Sequence, residues 1–280
     1  MTTYRNPAID AALGAPTLLF GQPDPALPLA ELTAAVAALP AEARARGCAR
    51  LLGPMDGSTW RSYRAVVERT GASFAGDLVT HADLPEVLAK AGYRVAERYV
   101  STDFSRTAVE HALRHTAAHT NGRADDVTLR PVPRADFLTE VEALYPLVTA
   151  TFSRNRLYSP IDPDDFLALY RPLAGVIGDG WLQLAEVGER TVGLALFLED
   201  ARGLVIKTLG RLPGEALRGM GVAPERLGAA IALRCFGHFL ASGHDRLVSA
   251  LMHEDNPSHA RSLDFGGEVV ARYALYDRQL

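Results

Sequence analysis

The chain has 280 residues, 48% of them hydrophobic and 22% charged, enough apolar material for one large core or two modest ones. Lysine and arginine total 29 against 33 aspartate and glutamate, a net charge of −4, so no basic field exists to hold phosphate backbones and nucleic acid is not the expected partner. The densest apolar stretch, 227–240, carries Arg234 and two glycines, and nothing supplies the about 20 apolar residues that a bilayer span takes. Arg5 and Asp10 precede the short Leu18-Leu19-Phe20 run, and no small-residue cleavage site follows an apolar core, so the expected location is the cytoplasm. Cys48 and Cys235 stand far apart without a C-x-x-C pair. They are expected as buried thiols in a reducing compartment, not as a disulfide or a zinc site.

In chain order, the first clear element is an Ala-rich helix over 29–46, followed by Gly47-Cys48-Ala49-Arg50-Leu51-Leu52. His111, His115 and His119 recur at helical spacing, but no carboxylate completes a metal motif, and a solvated or lobe-contacting face is expected. Thr120-Asn121-Gly122-Arg123-Ala124-Asp125-Asp126 is polar and lacks apolar period, which places a boundary near residue 126. Beyond it comes a strand over 127–131 and a helix over 136–150 with Phe137, Val141, Leu144 and Leu147 on one face. Asp162-Pro163-Asp164-Asp165 lacks the Gly and distal Glu of an EF-hand, and reads as the acidic start of a helix over 163–170. Runs 181–187 and 192–198 flank Gly188-Glu189-Arg190 as an antiparallel hairpin. A strand over 204–212 leads into a Gly-rich turn, then a helix from Pro224 to Gly243, a strand over 246–252, a short helix over 258–263 and a strand over 269–276.

Gly243-His244-Asp245-Arg246-Leu247-Val248 follows its helix as Gly47 to Leu52 follow theirs. Gly92, Val95, Arg98 and Tyr99 have the spacing of Gly266, Val269, Arg272 and Tyr273. Two matches in one order suggest that the second half of the fold occurs twice, against the alternative of chance similarity in an Ala-, Leu- and Arg-rich chain. Too little chain precedes Phe20 for a full first copy, so 1–126 is expected as a truncated lobe and 127–280 as an intact one.

The segment from Leu204 to Ala223 places a strand, a turn with two glycines and a helix start in succession, an arrangement suited to an anion such as a diphosphate. A Rossmann turn would need glycine where Pro224 stands, and no Lys-Ser/Thr follows as a nucleotide P-loop requires. Arg218-Gly219-Met220-Gly221-Val222-Ala223 resembles the Gln/Arg-x-x-Gly-x-Gly/Ala signature of the GNAT superfamily of acyl-CoA-dependent N-acetyltransferases. The element order of 127–280 is similar to the family's. Gly53-Pro54-Met55-Asp56 looks like a subgroup in which a degenerate GNAT half precedes an intact one. The turn Gly21-Gln22-Pro23-Asp24-Pro25 has no Arg and no paired Gly, so the first lobe is expected to bind no CoA.

The resemblance implies an α/β GNAT fold, a mixed, mostly antiparallel sheet flanked by helices, with acetyl-CoA as co-substrate, an amine as acceptor and no metal. It implies a pantetheine arm lying between the strands at 204–212 and 246–252, near Asn256. Backbone amides of Gly210, Arg211 and Leu212 would polarise the acyl carbonyl, a contribution of about 3 to 4 kcal/mol in other enzymes. An alkyl ammonium of pKa about 10.4 is neutral in only about one part in a thousand at pH 7, so a base is expected, with Glu199, His253 and Glu254 as candidates. The family's general-acid Tyr is missing from 256–265. Residues 152–158 are expected to wall the acceptor pocket, with Tyr158 as a proton donor or a cover for the core. Trp60 and Tyr63 read as packing of the truncated lobe. The rival readings are a CoA-binding module without turnover and a structural or interaction protein; acceptor, acyl length and the choice of monomer or homodimer stay open.

Overall fold

The computed structural model describes residues 1–119 and 127–280; the polar stretch 120–126, and with it the expected boundary, lies outside the described residues. The first 119 residues run β1 (Thr3–Tyr4), α1 (Pro7–Leu13), β2 (Thr17–Phe20), α2 (Leu29–Ala45), β3 (Arg50–Gly53), β4 (Ala65–Arg69), α3 (Leu84–Lys90), β5 (Arg94–Ser105) and α4 (Arg106–His119). The remainder runs β6 (Val127–Pro131), α5 (Phe137–Ala143), α6 (Tyr145–Phe152), α7 (Pro163–Ala174), β7 (Leu182–Val187), β8 (Arg190–Asp200), β9 (Gly203–Arg211), α8 (Gly214–Gly219), α9 (Pro224–Ser242), β10 (Arg246–His253), α10 (Pro257–Asp264) and β11 (Glu268–Gln279). The expected helix over 136–150 is two helices. Pro146 cannot donate to the preceding turn and its ring crowds the carbonyl four residues back, so the chain breaks at Leu144. Asp162 stands at the N-cap of α7, with Asp164 and Asp165 in the first turn.

All described strands join one sheet in the order β1-β2-β3-β11-β5-β10-β9-β8-β7-β6, with β4 also paired to β11. At its centre the strands interleave: β11 lies between β3 and β5, and β5 lies between β11 and β10. Tyr99 pairs with Tyr273, its counterpart in the sequence match, and Arg98↔Ala274 mirrors Val100↔Arg272. Gly92 and Gly266 precede these strands with φ +82° and +81°, a conformation that glycine adopts without steric cost. Both parts of the chain therefore contribute to one hydrogen-bonded core.

On one face α4 and α9 pack over β8, β9 and β10 through Val109, Ala112, Ile231, Cys235, Phe236 and Phe239. On the other, α5, α6 and α7 cover β7 and β8 through Phe137, Val141, Leu147 and Phe166. Cys48 and Cys235 are buried free thiols, and burial raises the pKa of Cys235. Trp60 packs edge-on against Phe152, Tyr158 and Phe166, and its Nε1 donates to Ser159 O at 2.8 Å. It therefore ties the early chain to the later part, where the sequence reading had it packing the first lobe alone. His111 and His115 lie with ring centroids 4.0 Å apart, and among the described residues no group of His, Cys, Asp or Glu is placed to hold a metal ion. No helix among the described residues is long and apolar enough to cross a membrane.

Candidate functional site

The sheet opens between β9 and β10. β9 and β10 are parallel and paired only from Leu204↔Leu247 to Ile206↔Ser249. Immediately afterwards both strands bulge. Lys207 is the extra residue of β9 against β8, between the pairs Phe197↔Ile206 and Leu196↔Thr208. On β10, Ala250 and Leu251 stand opposite the single residue Ser101 of β5, and Leu251 takes φ +64°. Bulges bend a strand and increase its twist, so the two strands part where pairing stops. Towards α9 the opening holds a narrow cavity of about 40 Å³, lined by Ile206, Leu209, Phe236, Ser249, Ser262 and Phe265. Towards the opposite face it presents Lys207.

Strand alternation decides which amides face the gap. Leu212 N–H donates to Val192 O at 2.9 Å, so Leu212 and, two residues earlier, Gly210 turn their backbone groups to β8. Leu209 and Arg211 turn theirs to the β10 side. Of the three amides expected to polarise an acyl carbonyl, Gly210 and Leu212 thus point away from the opening, while those of Leu209 and Arg211 face it.

The Gly-rich turn also differs from expectation. Met220 N donates to Ala216 O and Leu217 O, Gly221 N to Arg218 O and Val222 N to Leu217 O. These amides close the C-terminus of α8, a helix the sequence reading did not include, with Gly221 supplying the left-handed residue at φ +77°. They do not converge on an outside point. The positive end of the α9 dipole remains, with Ala223 at the N-cap and Pro224 in the first turn. Above it, a Cβ placed on Gly228 would lie 3.1 Å from Arg261 Nη1 and 3.6 Å from Arg211 Nε. Two guanidinium groups, one from the end of β9 and one from α10, meet over a position without a side chain near the start of α9. Arg218, in the last turn of α8, is exposed. Asn256 caps α10, its side chain accepting from Ser258 N at 2.9 Å.

The candidate bases are dispersed. Glu199 lies opposite Leu204, where β9 and β10 are still paired, about 10 Å of strand before Lys207. Its oxygens accept from Trp181 Nε1 at 3.0 Å and meet His244 Nε2 at 2.8 Å. Because β8 runs antiparallel to β9, its end meets the beginning of β9 and not the opening. His253 Nδ1 accepts from Asp255 N at 3.1 Å, which leaves Nε2 as the donor to Glu97 Oε2 at 2.8 Å. Both ring nitrogens are engaged, and Glu97 in turn binds Arg156 Nε at 2.8 Å. Glu254 pairs with Arg272 at 3.3 Å. Tyr158 leans on Trp60 with centroids 6.0 Å apart, and partial burial raises its pKa.

What the sequence reading did not single out lies across the gap from α9. Lys207 Nζ donates to Gly76 O at 3.1 Å. Burial, reinforced by the Arg64 charge and partly offset by Asp77, brings its pKa down from 10.5 to about 8. Arg64 is only 4% exposed, and its guanidinium carbon lies over the rings of Tyr63 and Tyr99, 3.6 and 4.0 Å from their centroids. Tyr273 OH meets Ser101 Oγ at 3.1 Å and Asp77 Oδ1 at 3.2 Å, and burial pushes its pKa up to about 12. Lys207 had one readable signal: it is one of two lysines in the chain, set in an apolar strand where arginine, which does not deprotonate, serves elsewhere.

No family model matches the chain, and no curated protein matches it. Among solved structures, 95% of the chain is similar to a conserved protein of unknown function, a probable N-acyltransferase, from Enterococcus faecalis V583, at 10% identity and TM-score 0.51, covering 54% of that chain. It is similar to a tandem GNAT protein from the clavulanic acid biosynthesis pathway at 12% identity and TM-score 0.48, over 95% of this chain and 76% of that one. A GCN5-related N-acetyltransferase from Sphaerobacter thermophilus follows at 17% identity and TM-score 0.46, over 70% and 55% of the two chains. The chain has the GNAT fold, a large, mostly antiparallel sheet flanked by helices.

Proposed function

We propose that the protein is an acyl-CoA-dependent N-acyltransferase that uses acetyl-CoA and an amine acceptor, with 127–280 as the catalytic part and 1–126 as a truncated lobe without its own CoA site. One observation carries this reading: β9 and β10 stop pairing after three residues, with the guanidinium groups of Arg211 and Arg261 over Gly228 on the α9 side and a lysine of lowered pKa, Lys207, in the bulge of β9. Arg211, Arg261 and the start of α9 offer a cradle for phosphate oxygens, which a side chain at position 228 would fill. Leu209 directs its amide towards the gap. When bound, acetyl-CoA supplies an activated thioester: the amine nitrogen forms the new bond to the acyl carbon, the C–S bond breaks and the electron pair leaves on sulfur.

Lys207 takes the role of base, in place of Glu199, His253 or Glu254. Near pH 8 about half its population is neutral, so Nζ accepts the proton released by the amine. The thiolate needs less help, because a thiol of pKa about 8.5 is a tolerable leaving group near neutrality. That agrees with an α10 that carries Ser258, His259 and Ser262 but no Tyr. The missing Tyr also favours a second reading, CoA binding without turnover, which a transfer assay on the same protein separates from the first.

The test is calorimetric titration of acetyl-CoA into the wild type and into Gly228→Glu. The new carboxylate would pair with the two guanidinium groups, halve their net charge and occupy the space between them, and its Cβ meets only flexible side-chain ends, so folding is retained. Micromolar binding by the wild type, weakened about 100-fold or more in the variant, supports the reading. No heat in the wild type, or equal binding by both proteins, rejects it.

A further inference from the structure

We propose that the face of the β9–β10 opening away from α9 is a carboxylate-recognition site built on Arg64, and that the amine acceptor carries a carboxylate. The inference deepens the acyltransferase reading and rests on it for the identity of the ligand as acceptor. Arg64 is a buried guanidinium whose one hydrogen bond among the described residues is a long one, from Nη1 to Leu251 O at 3.4 Å. Its Nε is buried with no partner. Among the described residues, then, the Nε–Nη2 edge makes no hydrogen bond, and that edge has the geometry that receives a carboxylate through two parallel bonds. No carboxylate among the described residues lies within ion-pair distance of Arg64. The nearby acids are already engaged: Asp77 by Arg69, Leu78 N and Tyr273 OH, Glu97 by Arg156 and His253.

The faces of Tyr63 and Tyr99, set edge to face at 87°, lie against the guanidinium carbon but supply no counter-charge. An uncompensated buried cation is costly, and Lys207 adds a second positive group on the same side. The backbone is strained at the same place. Among the described residues, the non-glycine residues with positive φ are Arg64 at 74°, Leu157 at 66° and Leu251 at 64°. Arg64 bonds the Leu251 carbonyl, and Leu157 and Leu251 pack in one apolar cluster with Tyr63, Tyr99 and Tyr273. Backbone strain of this kind persists where the surrounding structure enforces it, and it concentrates at ligand sites. Arg64 reaches the carbonyl of Leu251 in the β10 bulge, and its charge acts on Lys207 in the β9 bulge, so a carboxylate held by Arg64 would bring its own amine to the side where Lys207 stands.

The experiment has two arms. In the first, the wild type is assayed with acetyl-CoA and matched pairs of acceptors: phenylalanine against phenethylamine, and lysine against cadaverine. In the second, N-acetylphenylalanine and N-acetylphenethylamine are titrated calorimetrically without CoA. The proposal expects the carboxylated member to lead by about tenfold or more in kcat/KM and in affinity, and Arg64→Gln to lose that preference. Turnover of amines without regard to the carboxylate overturns the proposal and leaves the acyltransferase reading in place. Carboxylate binding that depends on Arg64, in a protein that neither binds acetyl-CoA nor transfers its acyl group, overturns the acyltransferase reading and leaves the site. Failure of every carboxylate to bind or react overturns the site. Should circular dichroism show Arg64→Gln unfolded, Arg64→Lys replaces it, keeping the charge without the planar fork. The wild-type comparison decides without either variant.

Discussion

Among the described strands the sheet contains two parallel pairs, β2 with β3 and β9 with β10, each in register over three residues, and they end differently. Past Leu19↔Leu52 the first pair stays stitched: Met55 N donates to Phe20 O at 2.7 Å, and Gln22 N to Asp56 Oδ1 at 3.1 Å. Gly53 is pressed so closely on its neighbour that a Cβ there would lie 2.4 Å from Phe20 O. Past Ile206↔Ser249 the second pair carries a bulge on each strand and opens. Parallel pairing is therefore common scaffold in this molecule, and what sets the second pair apart is one extra residue on each of two adjacent strands, where the proposed ligand site lies. The closed pair lends the open one its surroundings, since Tyr63, Arg64, Gly76 and Asp77 all come from the chain that follows β3.

Lys207→Met removes the group that the opening exposes and is expected to have the largest effect. Turnover should fall by about 10² to 10⁴, the usual range for loss of a general base, with acetyl-CoA affinity kept. A variant that turns over at the wild-type rate would detach the chemistry from the bulge and break the comparison. Gly53→Val tests the closed pair. Its Cβ collides with backbone and with the Phe20 ring, so a loss of about 1 to 3 kcal/mol is expected, seen as a fall in Tm of about 2 to 10 °C. The variant should gain no second acetyl-CoA site in calorimetry. A second site would mean that closure alone keeps the first lobe silent.

How much of this was legible in the sequence depends on how far apart the partners lie. The hairpin of β7 and β8, the strand–turn–helix of β9 to α9 and the acidic start of α7 are local patterns, and the structure has them where periodicity and turn residues put them. The break in the 136–150 helix was also local, since Pro146 marks it. The bulges were not, because an extra residue is defined only against a partner strand, and nothing in Ile206-Lys207-Thr208 marks the register of β8. Arg64 to Leu251, Glu97 to His253 and Ser101 to Tyr273 span 187, 156 and 172 positions, contacts created by strand interleaving that no motif announces. The glycine turn shows the converse error. Arg218 to Ala223 resembles a ligand-binding signature, yet its middle amides cap a short helix, and the anion-attracting groups nearby are Arg211 and Arg261, which are distant in sequence.

The smallest expected effect is also the one that isolates the opening in the intact protein. Lys207 titrates at about 8 in the folded state, against 10.5 for an ordinary lysine, because burial and Arg64 disfavour its charged form. Between those values the unfolded chain binds more protons than the folded one, so the unfolding free energy rises with pH through that window, and below about 8 this group adds no slope. Tyrosines act in the opposite sense and later: Tyr273, raised by burial to about 12, is protonated in the folded state while the unfolded chain ionises from about 10 upward, which lowers stability as pH rises there. Between about pH 7.5 and 9.5 the buried Cys235 thiol, raised by burial, opposes this slope, since an unfolded thiol ionises near about 8.5, but it is present in wild type and variant alike and cancels in the difference. Urea unfolding of both proteins across that window therefore reads Lys207. The wild type should gain stability across that range relative to Lys207→Met, which lacks the titrating group. Lys90, the other lysine, lies in α3 beside Glu86, its pKa is raised, and it is present in both proteins, so it cancels in the difference. A difference that stays flat would mean that the Lys207 ammonium is solvated in the folded state. The opening would then be wet on its acceptor side, and the base would have to be sought in the engaged pair of Glu97 and His253.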